Sequence, residues 1–504
     1  MSSDAHLRPP EAHGSYRRIL SATSLLGGAT AVNVLIGMVR VKFVAILLGP
    51  AGLGLMGAFQ SIVTMAASFA TMGLNYSGVR EIAEARGGGD AARLSLTLAT
   101  FNRVLWLMAF FGAALLAALS VPVSLLTFDD GEHAVQIALL SGAVFCGVLT
   151  AKDSTLIQSA QEIRRLAWVN VSGALIGTGV SLGCFALWRQ QGILPAILVG
   201  ALFQWLVTRM HARRTALWHV DQTAGWSAEV AGRLFKFGGM IVVLGLLVSV
   251  TSYLQRVLII RGLGESALGF FQAADGLSGL YAGYILGAMG TDFLPRLSAV
   301  GADHEAVNRL VNEQTVVALL IGIPGVVGTI TFAPLLMPLF YAAEFAPAAG
   351  LLKWLAVGVF GRLVSWPLSF ILMSRGDIRF LWTNVLSSAV QLLAFWAGLS
   401  QVGLNMCGYA TILSFVVFTW VNLAAVRDLT GFVWTQQSRQ VISLGLAALL
   451  VTKTGDWLLP ALWAWVPGAL VFLISCIAGY RQLCHLTQIP LVARLLGSLR
   501  RQAS

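Results

Sequence analysis

Four ionisable side chains set inside apolar runs are the residues of this sequence best placed to do chemistry: Arg40, Arg256, Arg362 and Asp275. A charge surrounded by hydrocarbon is expensive, so each is a functional-site candidate by default. Asp275 has no acid or base three or four residues away on its own helix. A lone carboxylate at that depth suits a proton or cation site, or the counter-charge to Arg40 or Arg362. Arg362 lies about thirteen residues into its run, too deep for easy snorkelling, and needs a partner or water. Arg256 stands closer to the end of its run, where an interface anchor and a cavity role are both open. Arg40 and Lys42 are two residues apart and point in nearly opposite directions on a helix, so both cannot face one cavity. Arg40 is the better candidate because Thr30, Asn33, Gly37 and Arg40 share one helical face. A second polar stripe follows at Gln60, Thr64, Ser68 and Thr71, for which plain interhelical hydrogen bonding is the competing reading. Asn33, Gln60 and Thr64 therefore join the three arginines as candidate cavity residues.

Holding such residues requires long apolar helices, and the composition supplies them. Of 504 residues 57% are hydrophobic and only 11% charged, and the mean hydropathy is +0.79. Soluble domains carry about 25% charged residues, so one soluble core is excluded. The net charge of +11 comes in short clusters between apolar runs, which gives nucleic acid no basic surface to follow. Cys146, Cys184, Cys407, Cys476 and Cys484 lack metal-knuckle or redox-pair spacing, and no metal or cofactor is expected. Apolar runs near the 20-residue spanning length number about fourteen. The expected fold is an all-α polytopic membrane protein of two pseudo-symmetric six-helix bundles plus two C-terminal helices. Its parts are an N-terminal tail (1–18), a first bundle (19–208), a linker (209–236), a second bundle (237–425), two further helices (440–480) and a basic tail (481–504). Sorting Lys and Arg onto alternate sides puts 24 of the 33 with the two termini and only Arg189, Arg261 and Lys453 opposite. By the positive-inside rule both termini are expected in the cytoplasm.

An internal repeat supports the two-bundle reading. Residues 47–60 (LLGPAGLGLMGAFQ) and 262–275 (GLGESALGFFQAAD) align at an offset of 215, matching Gly49, Leu53, Gly54 and Ala58 to Gly264, Leu268, Gly269 and Ala273. Met72 and Gly73 recur as Met289 and Gly290 after a two-residue slip. Units of six spans each must share one orientation, related by an axis along the membrane normal. Asp275 then replaces Gln60, which makes the bundles chemically unequal.

The segments VRVKFVAILLGPAGLGLMGAFQ (39–60), GLNYSGVREIAEA (73–85) and ALGFFQAADGLSGLYAGYILGAMGTDFLPRLS (267–298) resemble the Wzx-type polysaccharide flippases of the MATE-like exporter superfamily. The likeness is strongest to the enterobacterial common antigen lipid III flippases. Lipid II flippases are more distant, since their Ala-Asp-Arg is here Ala274, Asp275, Gly276. The resemblance implies movement of an undecaprenyl-diphosphate-linked oligosaccharide across a bacterial inner membrane by alternating access, for lipopolysaccharide, O-antigen or another surface polysaccharide. With the depths and polar stripes read above, Arg40, Arg362, Arg256, Asn33, Gln60 and Thr64 become the candidate substrate-binding residues, Arg40 also matching the related families' first-span arginine, and Asp275 the candidate for ion coupling (proton or sodium) or charge balance. A polysaccharide polymerase and a chain-length regulator are implied as further partners. A MATE-type drug antiporter is the alternative and predicts acids in the first bundle, whose spans are read as having none. A polymerase or ligase wants a long outer loop, and only short turns are expected. Three plainer assignments complete the reading. Lys353 snorkels, Asp292 and Arg296 form a helical ion pair, and Gly276, Gly279, Gly283, Gly287 and Gly290 let helices pack closely.

Overall fold

The computed structural model describes the backbone of residues 12–220, 225–236, 239–301, 303–458, 460, 463 and 465–487. Side chains are described from Val32 onward except at a few positions, Asp292 among them. Residues 1–11 of the expected N-terminal tail and 488–504 of the basic tail lie outside the described residues, as do the Thr30 and Asp292 side chains.

Every regular element among the described residues is a helix. The helix α1 (Ala12–Thr71) is about 90 Å of chain and too long for one crossing of about 30 Å. It breaks at Gly49, where φ 65° and ψ −173° are open only to glycine, and Pro50 starts the second half with the fixed φ a helix start wants. The same device recurs one repeat later. Gly264 (φ 85°, ψ 177°) separates α9 (Gly239–Leu263) from α10 (Glu265–Val300). The Met-Gly match diverges: the chain breaks at Gly73 (φ 68°) before α2 (Leu74–Gly87), whereas α10 continues through Gly290.

Between them lie α3 (Ala91–Ala118), α4 (Ser120–Phe128), α5 (Ala134–Ser159), α6 (Ile163–Trp188), α7 (Ile193–Ala212) and the short α8 (Ala228–Lys236). After α10 come α11 (His304–Phe340), α12 (Ala348–Ser374), α13 (Arg379–Val402), α14 (Met406–Thr430), α15 (Gln436–Leu458) and α16 (Trp465–Thr487). Asp90 caps α3 by accepting from the Ala92 and Arg93 N–H groups, and Asp303 caps α11 in the same way. Counting α1 as two, and leaving out α2, α4 and α8, fourteen membrane helices are present among the described residues. Nine continuous stretches of the described residues pass as spans by length and apolarity, three of which hold two crossings, and α10 and α15 bring the count to fourteen.

The chain forms two compact units. The first comprises residues 1–48 and 59–249, and the second 49–58 and 250–504. In the first, α5 packs against α3 and α7, and α7 against α6. The amphipathic α8 docks on α2 and α3, with Arg233 bridging the buried Glu81 and the exposed Glu229. In the second, α11 and α12 are the most buried helices and pack on each other, with α14 and α10 against α12 and α15 and α16 against α11. A polar network ties the α14–α15 connection to α11. The Asn312 Oδ1 accepts from the Thr435 N–H at 2.9 Å and the Ser438 hydroxyl at 2.7 Å, and Asn308 and Thr430 exchange hydrogen bonds beside them.

Inside the second unit the repeat shows as a reciprocal helix crossing. A Cβ on Gly54 would stand 2.0 Å from the Glu265 carbonyl oxygen, and one on Gly269 would stand 1.9 Å from that of Pro50. The partners obey the 215-residue offset, because Glu265 is the repeat equivalent of Pro50. Glycine is required at both positions because each backbone occupies the other's side-chain space.

Candidate functional site

In the second unit, α9, α10 and α12 bring Arg256 and Arg362 each into electrostatic reach of Asp275. No direct ion pair joins them among the described residues, so the charges act across intervening space. Asp275 lies ten residues into α10 and Arg362 fourteen into α12, about 15 and 21 Å along their axes, yet both keep exposed surface. Arg256 is half-buried and donates from Nη1 to the Ser252 carbonyl at 2.8 Å. Two guanidinium groups around one carboxylate leave a net positive centre that an anion can enter without bringing its own counter-ion. Sequence reasoning missed Tyr341. This buried tyrosine interacts with the Asp275 charge, and its Oη is 3.4 Å from where a Cβ on Gly276 would stand.

The glycine face of α10 differs from expectation. Cβ atoms on Gly279, Gly283 and Gly287 would meet nothing within 4 Å, while Gly276 and Gly290 approach Tyr341 and Trp366. Close helix packing does not explain the middle three. Below Asp275 this face of α10 is bare and open.

In the first unit Arg40 stands in a different setting. Its Nη2 donates to the Ser181 hydroxyl of α6 at 3.1 Å, and the Asn33 Oδ1 is buried with no hydrogen-bond partner among the described residues. The second-span stripe is mostly satisfied within its own helix. The Thr64 hydroxyl donates to the Gln60 carbonyl at 2.8 Å and that of Ser68 to Thr64, and only the Ser68–Ser249 contact crosses to another helix. The Gln60 and Thr64 side chains are exposed.

One expectation fails. The first bundle's spans do hold an acid, because α5 continues past its first charge to Ser159 and takes Lys152 and Asp153 inside. Both are almost solvent-free, with the Lys152 Nζ 3.0 Å from the Asp153 Oδ1. The contact is an ion pair by distance only, since its angles leave neither carboxylate oxygen a hydrogen-bond donor. Neighbours in sequence diverge around a helix, which explains the poor angles. Trp106 and Trp218 flank the ammonium, with ring centroids 5.7 and 6.0 Å away. The acid is sealed in and offers nothing to a passing ligand. Lys353, expected to snorkel, instead pairs with Asp456 of α15.

A family described as Polysaccharide biosynthesis protein matches residues 43–350, more than half of the chain. The chain belongs to that family. The matched stretch contains Asp275, Arg256 and the reciprocal glycine crossing, while Arg40 and Arg362 fall just outside it. Among characterised relatives, the lipid III flippase of Escherichia coli (strain K12) is 22% identical over 389 residues, 75% of this chain and 90% of its own. Two solved structures share the fold. An inward-facing multidrug resistance MATE family transporter aligns at TM-score 0.66 and 16% identity, covering 79% of this chain and 96% of its own. The lipid II flippase MurJ in an inward closed conformation aligns at 0.64 and 14%, covering 91% and 99%. Among the described residues no group of His, Cys, Asp and Glu is arranged to hold a metal ion.

Proposed function

We propose that this member of the polysaccharide biosynthesis family flips an undecaprenyl-diphosphate-linked oligosaccharide from the cytoplasmic to the periplasmic leaflet of a bacterial inner membrane. The bundles at 19–208 and 237–425 alternate access, with both termini cytoplasmic. The observation that carries the reading is the excess of guanidinium over carboxylate deep in both units, Arg256 and Arg362 around Asp275 and Arg40 on Ser181. A diphosphate loses its hydration on entering a low-dielectric interior, and fixed arginines offset that cost with forked donors. Asn33, Gln60 and Thr64 add polar groups for sugar hydroxyls, and Asp275 couples a proton or sodium ion or balances the arginines. The name of the E. coli relative supports the substrate class. A polymerase and a chain-length regulator take the delivered product. A drug antiporter is disfavoured because the first unit's buried acid is already paired with Lys152.

The test is complementation of a strain lacking its own flippase. Arg40→Ala is expected to lose most activity at normal abundance and to let the lipid-linked oligosaccharide build up on the cytoplasmic side, while Arg40→Lys keeps part of it. Full complementation by Arg40→Ala would falsify the assignment of Arg40 to the diphosphate.

A further inference from the structure

Away from the Asp275 centre, a cavity of about 590 Å³ lies in the second unit between α11, α12, α15 and α16. That volume is within the range of about 300–1,000 Å³ found for small-molecule sites. Ile330, Phe332, Leu335 and Trp465 give it an apolar wall, and Lys353 and Asp456 line it as an ion pair. Pro334 lies in the same wall and has no N–H to donate to the Ile330 carbonyl. The helices do touch at Gly468, where a Cβ would stand 2.3 Å from the Thr331 hydroxyl, so the cavity is a local separation of packed helices.

The charges on and beside this cavity do not cancel, because a further lysine stands next to its lining residues Thr452 and Asp456. Lys453, three residues before Asp456 on α15, interacts with the charges of both Asp456 and Lys353, and its Nζ is 3.8 Å from the Trp354 ring centroid. Two cations share one carboxylate, which leaves a single positive charge. Lys353 and Lys453 each lie five residues from the helix end that faces the α15–α16 connection, about 8 Å along the axis.

We propose that this cavity holds one glycerophospholipid, with an acyl chain against the apolar wall and its phosphodiester beside Lys453. One phosphodiester carries the single negative charge the cluster lacks, and basic pockets between membrane helices bind anionic headgroups on this principle. The face of the Trp354 ring holds the Lys453 ammonium in place, and Lys353 stays paired with Asp456.

The full-length protein in phosphatidylcholine nanodiscs, titrated with phosphatidylglycerol and read by native mass spectrometry and thermal unfolding, tests this. The wild type is expected to retain one phosphatidylglycerol in preference to phosphatidylcholine and to unfold at a higher temperature with it. Lys453→Gln should weaken that preference about fivefold, the worth of one basic contact near a membrane surface. Lys453→Arg should restore it, and Arg439→Gln at the far end of α15 should leave it unchanged. A wild type without preference overturns the proposal, as does a Lys453→Gln variant destabilised equally in both lipids, which marks the lysine as purely structural. Displacement of phosphatidylglycerol by a polyprenyl phosphate at equal concentration also overturns it, by assigning the site to the carrier lipid.

Discussion

At the scale of single residues, Asp275 is a carboxylate with two arginines in range and bonded to neither. A carboxylate locked in a direct pair would have little freedom to exchange a proton or cation, whereas one held at a distance can trade partners as a substrate arrives. Asp275→Asn is therefore expected to abolish or uncouple flipping while the protein still accumulates in the membrane. Complementation of a flippase-null strain, with abundance measured by immunoblot, checks this, and full activity in the variant removes the coupling role. The open glycines of α10 give a second residue-scale test. Gly283→Ala should be neutral or raise stability by up to about 1 kcal/mol, since alanine suits a helix better and a Cβ there meets nothing. Gly283→Leu should insert and fold but slow flipping if the bare face borders the substrate path. A fall in unfolding temperature for Gly283→Ala would restore the packing explanation.

At the scale of elements, the reciprocal crossing of residues 50–54 with 265–269 leaves no room for added volume, because at both glycines the obstacle is backbone. Gly269→Val places carbon atoms inside the Pro50 carbonyl, and the helices can accommodate it only by moving apart. The expected cost is about 1–3 kcal/mol, seen as a lower unfolding temperature in detergent and reduced abundance. Gly283→Val is the matched control and should lose less. The Asn308–Asn312 network acts at the same scale: it fastens the start of α15 to α11 through the Thr430–Ser438 connection, and α16 packs on α11 directly. Together these contacts make the last two helices part of the second unit, which their sequence alone does not state.

At the scale of the whole molecule, an even number of crossings and the skewed distribution of Lys and Arg lead us to propose that both termini are cytoplasmic. A phosphatase fusion, active only outside the cytoplasm, is expected to be silent after Arg213 and after Ser504 and active after Arg189. Activity after Arg213 would overturn the orientation. The number of helices and the internal repeat were legible in the chain because each rests on local or periodic features, whereas the proposed substrate class rests on resemblance to a family. A span is a run of apolar residues, and the Gly49 and Gly264 breaks are glycine positions at a fixed offset. The depth of Asp275, Arg40 and Arg362 follows from counting along a helix in the same way. What meets what was not legible, because it depends on helices far apart in sequence coming side by side. Only the tertiary structure put Arg256 and Tyr341 beside Asp275, Ser181 beside Arg40 and Asp456 beside Lys353. Only packing could separate Gly54, which a neighbour's backbone fills, from Gly283, which faces empty space. Lys152 and Asp153 show the same limit from the other side. Two adjacent charges read locally as the end of a span, yet α5 carries them inside, because Trp106, Trp218 and the rest of the first unit surround them with an environment that no local pattern of residues encodes.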